Sequence, residues 1–236
     1  MLDASLARSR PINGLGSLWR STIGKKYVMA ISGLIWFGYL ILHLWGNLKI
    51  FAGATFLNDY ASFLRTVGEP FFSYSVLLWI VRLVLIPAFI IHMWAAISLT
   101  NRDRASRPRG YSVKKNLEST FASRTMIYGG LFIVLFVIYH LLDFTFGTVN
   151  PNYIDGDVYH NVVASFQQPL VVLFYLLAMI AVGMHLLHGV WSLFQTLGWN
   201  SARANRLIRN FATLAALVLT LGNISIPVGV YTGLIK

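Results

Sequence analysis

Five apolar stretches, each long enough to cross a hydrocarbon core, leave this 236-residue chain very few architectures. They run over 27–51, 72–100, 124–146, 168–196 and 207–235, against the ~20 residues a membrane-spanning helix needs. In lipid every backbone N–H and C=O must be satisfied within the chain, so segments of this kind become helices. The sequence predicts an all-α membrane protein in which five transmembrane helices form one bundle. Charged residues make up only 11% of the chain, where a soluble domain carries about 25%. No internal repeat or low-complexity segment divides it. The simplest partition is an N-terminal segment, 1–26, and a single membrane domain, 27–236.

The polar connections alternate in charge. Arg8, Arg10, Arg20, Lys25 and Lys26 precede the first span, and Arg102, Arg104, Arg107, Arg109, Lys114, Lys115 and Arg124 crowd the connection between the second and third. Arg203, Arg206 and Arg209 open the fifth. The other two connections carry Asp59, Arg65 and Glu69, and Asp155 and Asp157. Basic loops stay in the cytoplasm, so the N-terminus is expected inside and the C-terminus outside. The net charge of +11 is thus a matter of topology and implies no nucleic-acid partner. The first basic-then-apolar stretch is too long for a secretory signal core and reads as a retained span. The chain has no cysteine, which excludes a cysteine-ligated iron–sulfur cluster or zinc site on it.

Four histidines lie within these apolar runs: His43, His92, His140 and His185. At a rise of ~1.5 Å per residue, His43 and His140 each fall ~24 Å from the inner ends of the first and third spans. His92 and His185 fall ~12 and ~16 Å from the inner ends of the second and fourth. Matched depths predict two pairs, His43 with His140 towards the outside and His92 with His185 towards the inside. Ionisable groups inside a membrane are usually functional. Two imidazoles facing one another across a bundle suit the axial ligation of a low-spin b-type haem that transfers electrons. Gly46, Ala95, Ala96, Gly183 and Gly189 stand near three of the four and would let a flat ring approach. His140 has no such neighbour. His188, three residues after His185, shares its helix face, and spacing alone leaves either as the ligand. His160, in the outer loop, reads as solvated. The competing reading is a proton-coupled transporter whose histidines relay protons.

The segments LILHLWGNLKIF, IPAFIIHMWAAISL, LFVIYHLLDF and GMHLLHGVWSLFQTLGWN, in this order and topology, resemble the succinate dehydrogenase cytochrome b558 subunit family. That family comprises the five-helix, di-haem membrane anchors of succinate:menaquinone oxidoreductases and fumarate reductases. The resemblance implies two haem b groups and menaquinone as electron acceptor. It also implies an FAD-containing flavoprotein subunit and an iron–sulfur subunit as partners, and a multi-pass position in a bacterial cytoplasmic membrane. It favours His185 as ligand, four residues before Gly189, and leaves His188 beside the ligand or facing a propionate. The Ser-x-x-His-Arg-x-Ser-Gly pattern of ubiquinone-type anchors is matched only by Ser32 and Gly33. Anchors of hydrogenases or formate dehydrogenases also pair histidines, but their catalytic partners usually lie on the outer face, against which the dense basic loops on the inner side argue.

Three charged residues complete the expectations. Arg82, inside the second span, would cost ~2.5 kcal/mol or more unpaired, so it either meets a haem propionate or snorkels to the surface. Asp143, at the end of the third span, either balances Arg82 or is an exposed helix-end acid. Glu69 reads as opening the second span, where it complements the helix dipole or, as the resemblance to menaquinone-type anchors implies, accepts or donates a proton for quinone.

Overall fold

A computed structural model of the chain describes residues 15–106, 121–199 and 201–236. Arg8, Arg10, Arg107, Arg109, Lys114, Lys115 and Glu118 lie outside the described residues. The elements are α1 (Leu15–Arg20), α2 (Thr22–Asn47), α3 (Ala54–Thr66), α4 (Val76–Ala105), α5 (Phe121–Phe144), α6 (Val158–Phe166), α7 (Pro169–Thr196) and α8 (Ala202–Tyr231), with a 3-10 turn over Leu48–Ala52. No strand occurs among the described residues. Five helices are long and apolar enough to cross a membrane: α2 with its 3-10 extension, α4, α5, α7 and α8. The protein is an all-α membrane protein, as the five apolar runs require.

Local signals set the helix ends. Ser21 and Ser201 cap α2 and α8, their hydroxyls accepting from the N–H groups of Gly24 and Ala204. Pro169 occupies the first turn of α7, where its missing N–H costs nothing. Pro87 and Pro227 lie inside α4 and α8, which membrane helices tolerate. The fourth and fifth spans pack most extensively, followed by α2 with α4 and α5 with α7. The four-helix order is α4–α2–α7–α5, with α8 against α7 and α2. This leaves α2/α5 and α4/α7 as the diagonals.

Lipid is as apolar as leucine, so close packing rather than water exclusion holds such helices together. Small residues mark the contacts. A Cβ on Gly222 would lie 2.8 Å from Leu44 Cδ2, and one on Gly183 would run into the Thr220 side chain. A buried seam of Leu44, Leu186, Val190, Ala212, Ala216 and Leu219 joins α2, α7 and α8. A second cluster, with Ile50, Leu57, Phe136, Phe166, Tyr175 and Ile226, ties the two short helices to the spans. Outward-facing positions such as Leu83, Ile90, Leu131 and Leu217 are more than half exposed, as side chains that meet lipid must be.

The two ends of the bundle differ. Arg20, Lys25, Lys26, Arg102, Arg104, Arg124, Arg203, Arg206 and Arg209 gather at one, here called the basic end. The other, the loop end, carries α3 and α6, both too short to cross a membrane. They are joined by Asn58, whose amide donates to Asp157 (2.9 Å) and whose carbonyl accepts from the Tyr159 N–H (3.0 Å). The main-chain N–H of His160 and the Asn58 amide hold the Asp157 carboxyl below its ordinary range.

Candidate functional site

Each diagonal of the bundle is bridged by two imidazoles. His43 on α2 meets His140 on α5 with ring centres 5.9 Å apart, edge to face. His92 on α4 meets His185 on α7 with ring centres 6.1 Å apart. The helix registers agree with this pairing. His43 and His140 each stand one helical turn before the ends of α2 and α5. Val76 to His92 and Pro169 to His185 span equal intervals. His92 lies level with Gly33, ten residues before His43, which separates the two levels by about 15 Å along α2. A metal–imidazole bond is about 2 Å long and the ring centre lies about 1 Å beyond it, so two imidazoles on opposite sides of one metal have centres about 6 Å apart. Both pairs have the spacing of such ligands.

The hydrogen bonds of these rings use Nδ1. His92 Nδ1 lies 3.1 Å from the main-chain carbonyl of Met29 and 3.2 Å from Ser32 Oγ. A carbonyl can only accept, so Nδ1 carries the proton and Nε2 keeps its lone pair. Ser32 gives its own proton to the Val28 carbonyl, 2.7 Å away, and so accepts from the ring. Gly33 makes the approach possible, since a Cβ there would stand 3.3 Å from His92 Cε1. His43 Nδ1 lies 3.3 Å from the hydroxyl of Tyr39, one turn earlier on α2. His140 Nδ1 lies 3.4 Å from the Tyr175 hydroxyl on α7. His185 Nδ1 is buried with no hydrogen-bond partner. Beside His185 a shallow cleft lies between α5 and α7, lined by Ala122, Thr125, Met126, Gly129, Ala181 and Met184.

Several expectations are corrected here. Asp143 is neither exposed nor paired with Arg82. It is 1% exposed, and its Oδ2 accepts from Ser165 Oγ (2.7 Å) and the Tyr175 hydroxyl (3.0 Å). Arg82 lies over the Trp79 ring, 4.8 Å from its centre. Glu69 does not open the second span. It sits exposed in the turn between α3 and α4, seven residues before Val76, so it cannot complement that helix dipole. His160 is partly exposed, and its Nε2 donates to the Asn152 carbonyl at 3.0 Å, which ties the loop. Gly46 and Gly183 admit the side chains of Tyr60 and Thr220 from neighbouring helices rather than a cofactor. Gly189 has open space where its Cβ would be.

His188 meets Trp191 edge-on at 6.1 Å, while Arg209 covers the same indole at 4.4 Å. The Trp191 Nε1 is buried without a partner. The contacts of Tyr39, Ser32 and Tyr175 with the histidines go beyond what the sequence predicts. Only Tyr39 carried a readable signal, its spacing of four from His43 on one helix face.

The sequence matches the family of succinate dehydrogenase/fumarate reductase transmembrane subunits over residues 100–222, just over half of the chain. That span contains His140, Asp143, Tyr175 and His185, while His43 and His92 precede it. No curated protein and no solved structure matches the chain.

Proposed function

The chain belongs to the succinate dehydrogenase/fumarate reductase transmembrane subunit family, and on that premise we propose that it is the membrane-anchor cytochrome b of a succinate dehydrogenase, receiving electrons from an iron–sulfur subunit and delivering them through two b haems to menaquinone. Succinate is oxidised on an FAD-containing partner subunit. Family membership speaks against the hydrogenase, formate dehydrogenase and transporter readings. Fumarate reduction uses the same parts in reverse, and the family includes both directions.

One observation carries the reading: two imidazole pairs, each spanning a bundle diagonal at the separation of axial ligands on a single metal. A haem held between two imidazoles supplies an iron centre that exchanges one electron without binding oxygen. His43 and His140 would hold one such group near the loop end, and His92 and His185 the other at mid-depth. The donor sets fit. The Met29 carbonyl keeps His92 in the tautomer whose Nε2 can ligate, a support that metal-bound histidines ordinarily have. The small residues Ala122, Gly129 and Ala181 line the cleft beside His185. At the basic end, Arg209, His188 and the unpartnered Trp191 Nε1 would receive the carboxylates of the inner group. Arg82 and Tyr39 would face the outer one.

The basic end would face the cytoplasm of a bacterium and dock the soluble subunits. The quinone would be reduced at the loop end, with the exposed Glu69 as proton donor near Arg65. Glu69→Gln is expected to shift the pH profile of quinone reduction, and an unchanged profile removes that role.

The test is the absorption spectrum and pyridine haemochrome of the purified chain with its partners. Two haems b per chain are expected. A colourless preparation overturns the assignment, and one haem per chain overturns the two-pair arrangement. Co-purification of a flavoprotein with succinate-dependent quinone reduction tests the direction.

A further inference from the structure

At the loop end a buried carboxylate reaches His140 through one intervening hydroxyl. Asp143 is 1% exposed, yet nothing cationic pairs with it in the described contacts. Its Oδ2 instead accepts from Ser165 Oγ on α6 at 2.7 Å and from the Tyr175 hydroxyl on α7 at 3.0 Å. A phenol has one proton to give. Spent on Asp143, it leaves the phenol oxygen as acceptor towards His140 Nδ1, 3.4 Å away. The line Asp143–Tyr175–His140 therefore has a direction, with each group donating towards the carboxylate. Phe136, Phe144 and Phe166 pack around the rings of His140 and Tyr175 at centroid separations of 4.8–5.8 Å, so the line lies in an apolar, low-dielectric surrounding. His92 has a neutral main-chain carbonyl in the corresponding place. The two histidine pairs thus differ in what stands behind the imidazole.

We propose that Asp143, acting through Tyr175, is a positioning and potential-setting residue for His140, which makes the outer haem harder to reduce than it would be behind a neutral partner. This inference rests on the assignment of His43 and His140 as haem ligands. Its physical basis is twofold. A carboxylate behind the ligand's N–H makes the imidazole a stronger donor to the oxidised iron. A negative charge in a low-dielectric surrounding also favours the more positive, oxidised state of a nearby centre. Ser165 fixes the carboxylate, so α6 takes part in the site even though it crosses no membrane.

The experiment is a spectroscopic redox titration of the purified complex, wild type against Asp143→Asn and Tyr175→Phe, with haem content measured alongside. Both variants are expected to favour reduction of the outer haem by about tenfold, an upward shift of about 59 mV for one electron, with the inner haem unmoved. Loss of the outer haem alone also supports the proposal. An outer haem with unchanged potential overturns it. So does an equal shift or equal loss of both haems, which marks a structural role only. If Asp143→Asn fails to assemble, Tyr175→Phe, which removes one oxygen, decides alone. A wild-type preparation without haem overturns the ligand assignment and this inference together. Two haems with unresponsive variants overturn the inference and leave the assignment standing.

Discussion

Nδ1 of His92 donates to the main-chain carbonyl of Met29 across the α2–α4 interface, at 3.1 Å. A helix carbonyl is normally committed to its own ladder, so the ring must come very close to α2 to reach it. Gly33, on the next turn, provides that approach. Valine at position 33 would drive two methyl groups into the imidazole. Gly33→Val is expected to cut occupancy of the inner haem by about tenfold or more, the loss usual when support behind a ligand is removed, while sparing the outer haem. Difference spectra of the two centres check this. A variant with both haems at wild-type level would show that His92 does not depend on the contact.

Replacing the histidines one at a time separates the pairs. His92→Ala and His185→Ala are expected to leave only the outer haem, and His43→Ala and His140→Ala only the inner one. The reason is that a lone imidazole leaves the opposite axial position open. His188→Ala is expected to keep both, because His92 pairs with His185 and the His188 ring meets Trp191. Haemochrome content and low-spin signals give the readout. Loss of the inner haem in His188→Ala but not in His185→Ala would exchange their roles.

The spans and the depth of the four histidines were legible because both depend on length and on a fixed rise per residue. Hydropathy over ~20 residues finds a membrane helix without knowing its neighbours. Asp143 shows where that logic stops. Its position at the end of an apolar run looked like a surface, but α6 folds over it and brings Ser165. Nine residues of α6 and thirteen of α3 are too short to register as spans, and their burial depends on contacts far along the chain. Tyr175 likewise carries no signal in the sequence, because its hydroxyl meets Asp143 from a different helix. Gly46 and Gly183 appeared to make room for a cofactor because spacing says which residues are near, not which neighbour fills the gap.

The clasp between α3 and α6 makes an acid-sensitive element. Asp157 caps α6 through the His160 N–H (3.0 Å) and accepts from the Asn58 amide (2.9 Å), and these donors depress its folded-state value. A depressed carboxyl contributes stability above its unfolded value, near 4, and loses it as pH falls through the lower folded value. Asp157→Ala is expected to cost about 1 kcal/mol, the usual worth of an N-cap, at neutral pH. The difference from wild type should shrink in the acid range below about pH 4. Thermal unfolding in detergent at both pH values measures it. A pH-independent difference would mean that the side chain acts by packing and not as an ionised cap.

The basic end provides the last prediction. Lys26, Arg104, Arg203 and Arg206 are exposed there, on three different helices. Two other charged side chains at that end are engaged within the chain. Lys25 donates to Ser98, and Arg102 donates to the Arg20 carbonyl at 2.9 Å. The four cations are exposed among the described residues, where an acidic protein surface can reach them, while the paired histidines lie deeper in the bundle. Reversing Arg104, Arg203 and Arg206 to glutamate is expected to release the flavoprotein and iron–sulfur subunits at lower salt than wild type. Haem content should remain unchanged. Exposed charges act over about 8 Å at physiological ionic strength, so the defect should be largest at low salt, where the wild-type attraction is strongest. Retention of the soluble subunits across a salt gradient on the immobilised anchor measures this. Undiminished retention in the triple variant would place the docking surface elsewhere on the anchor.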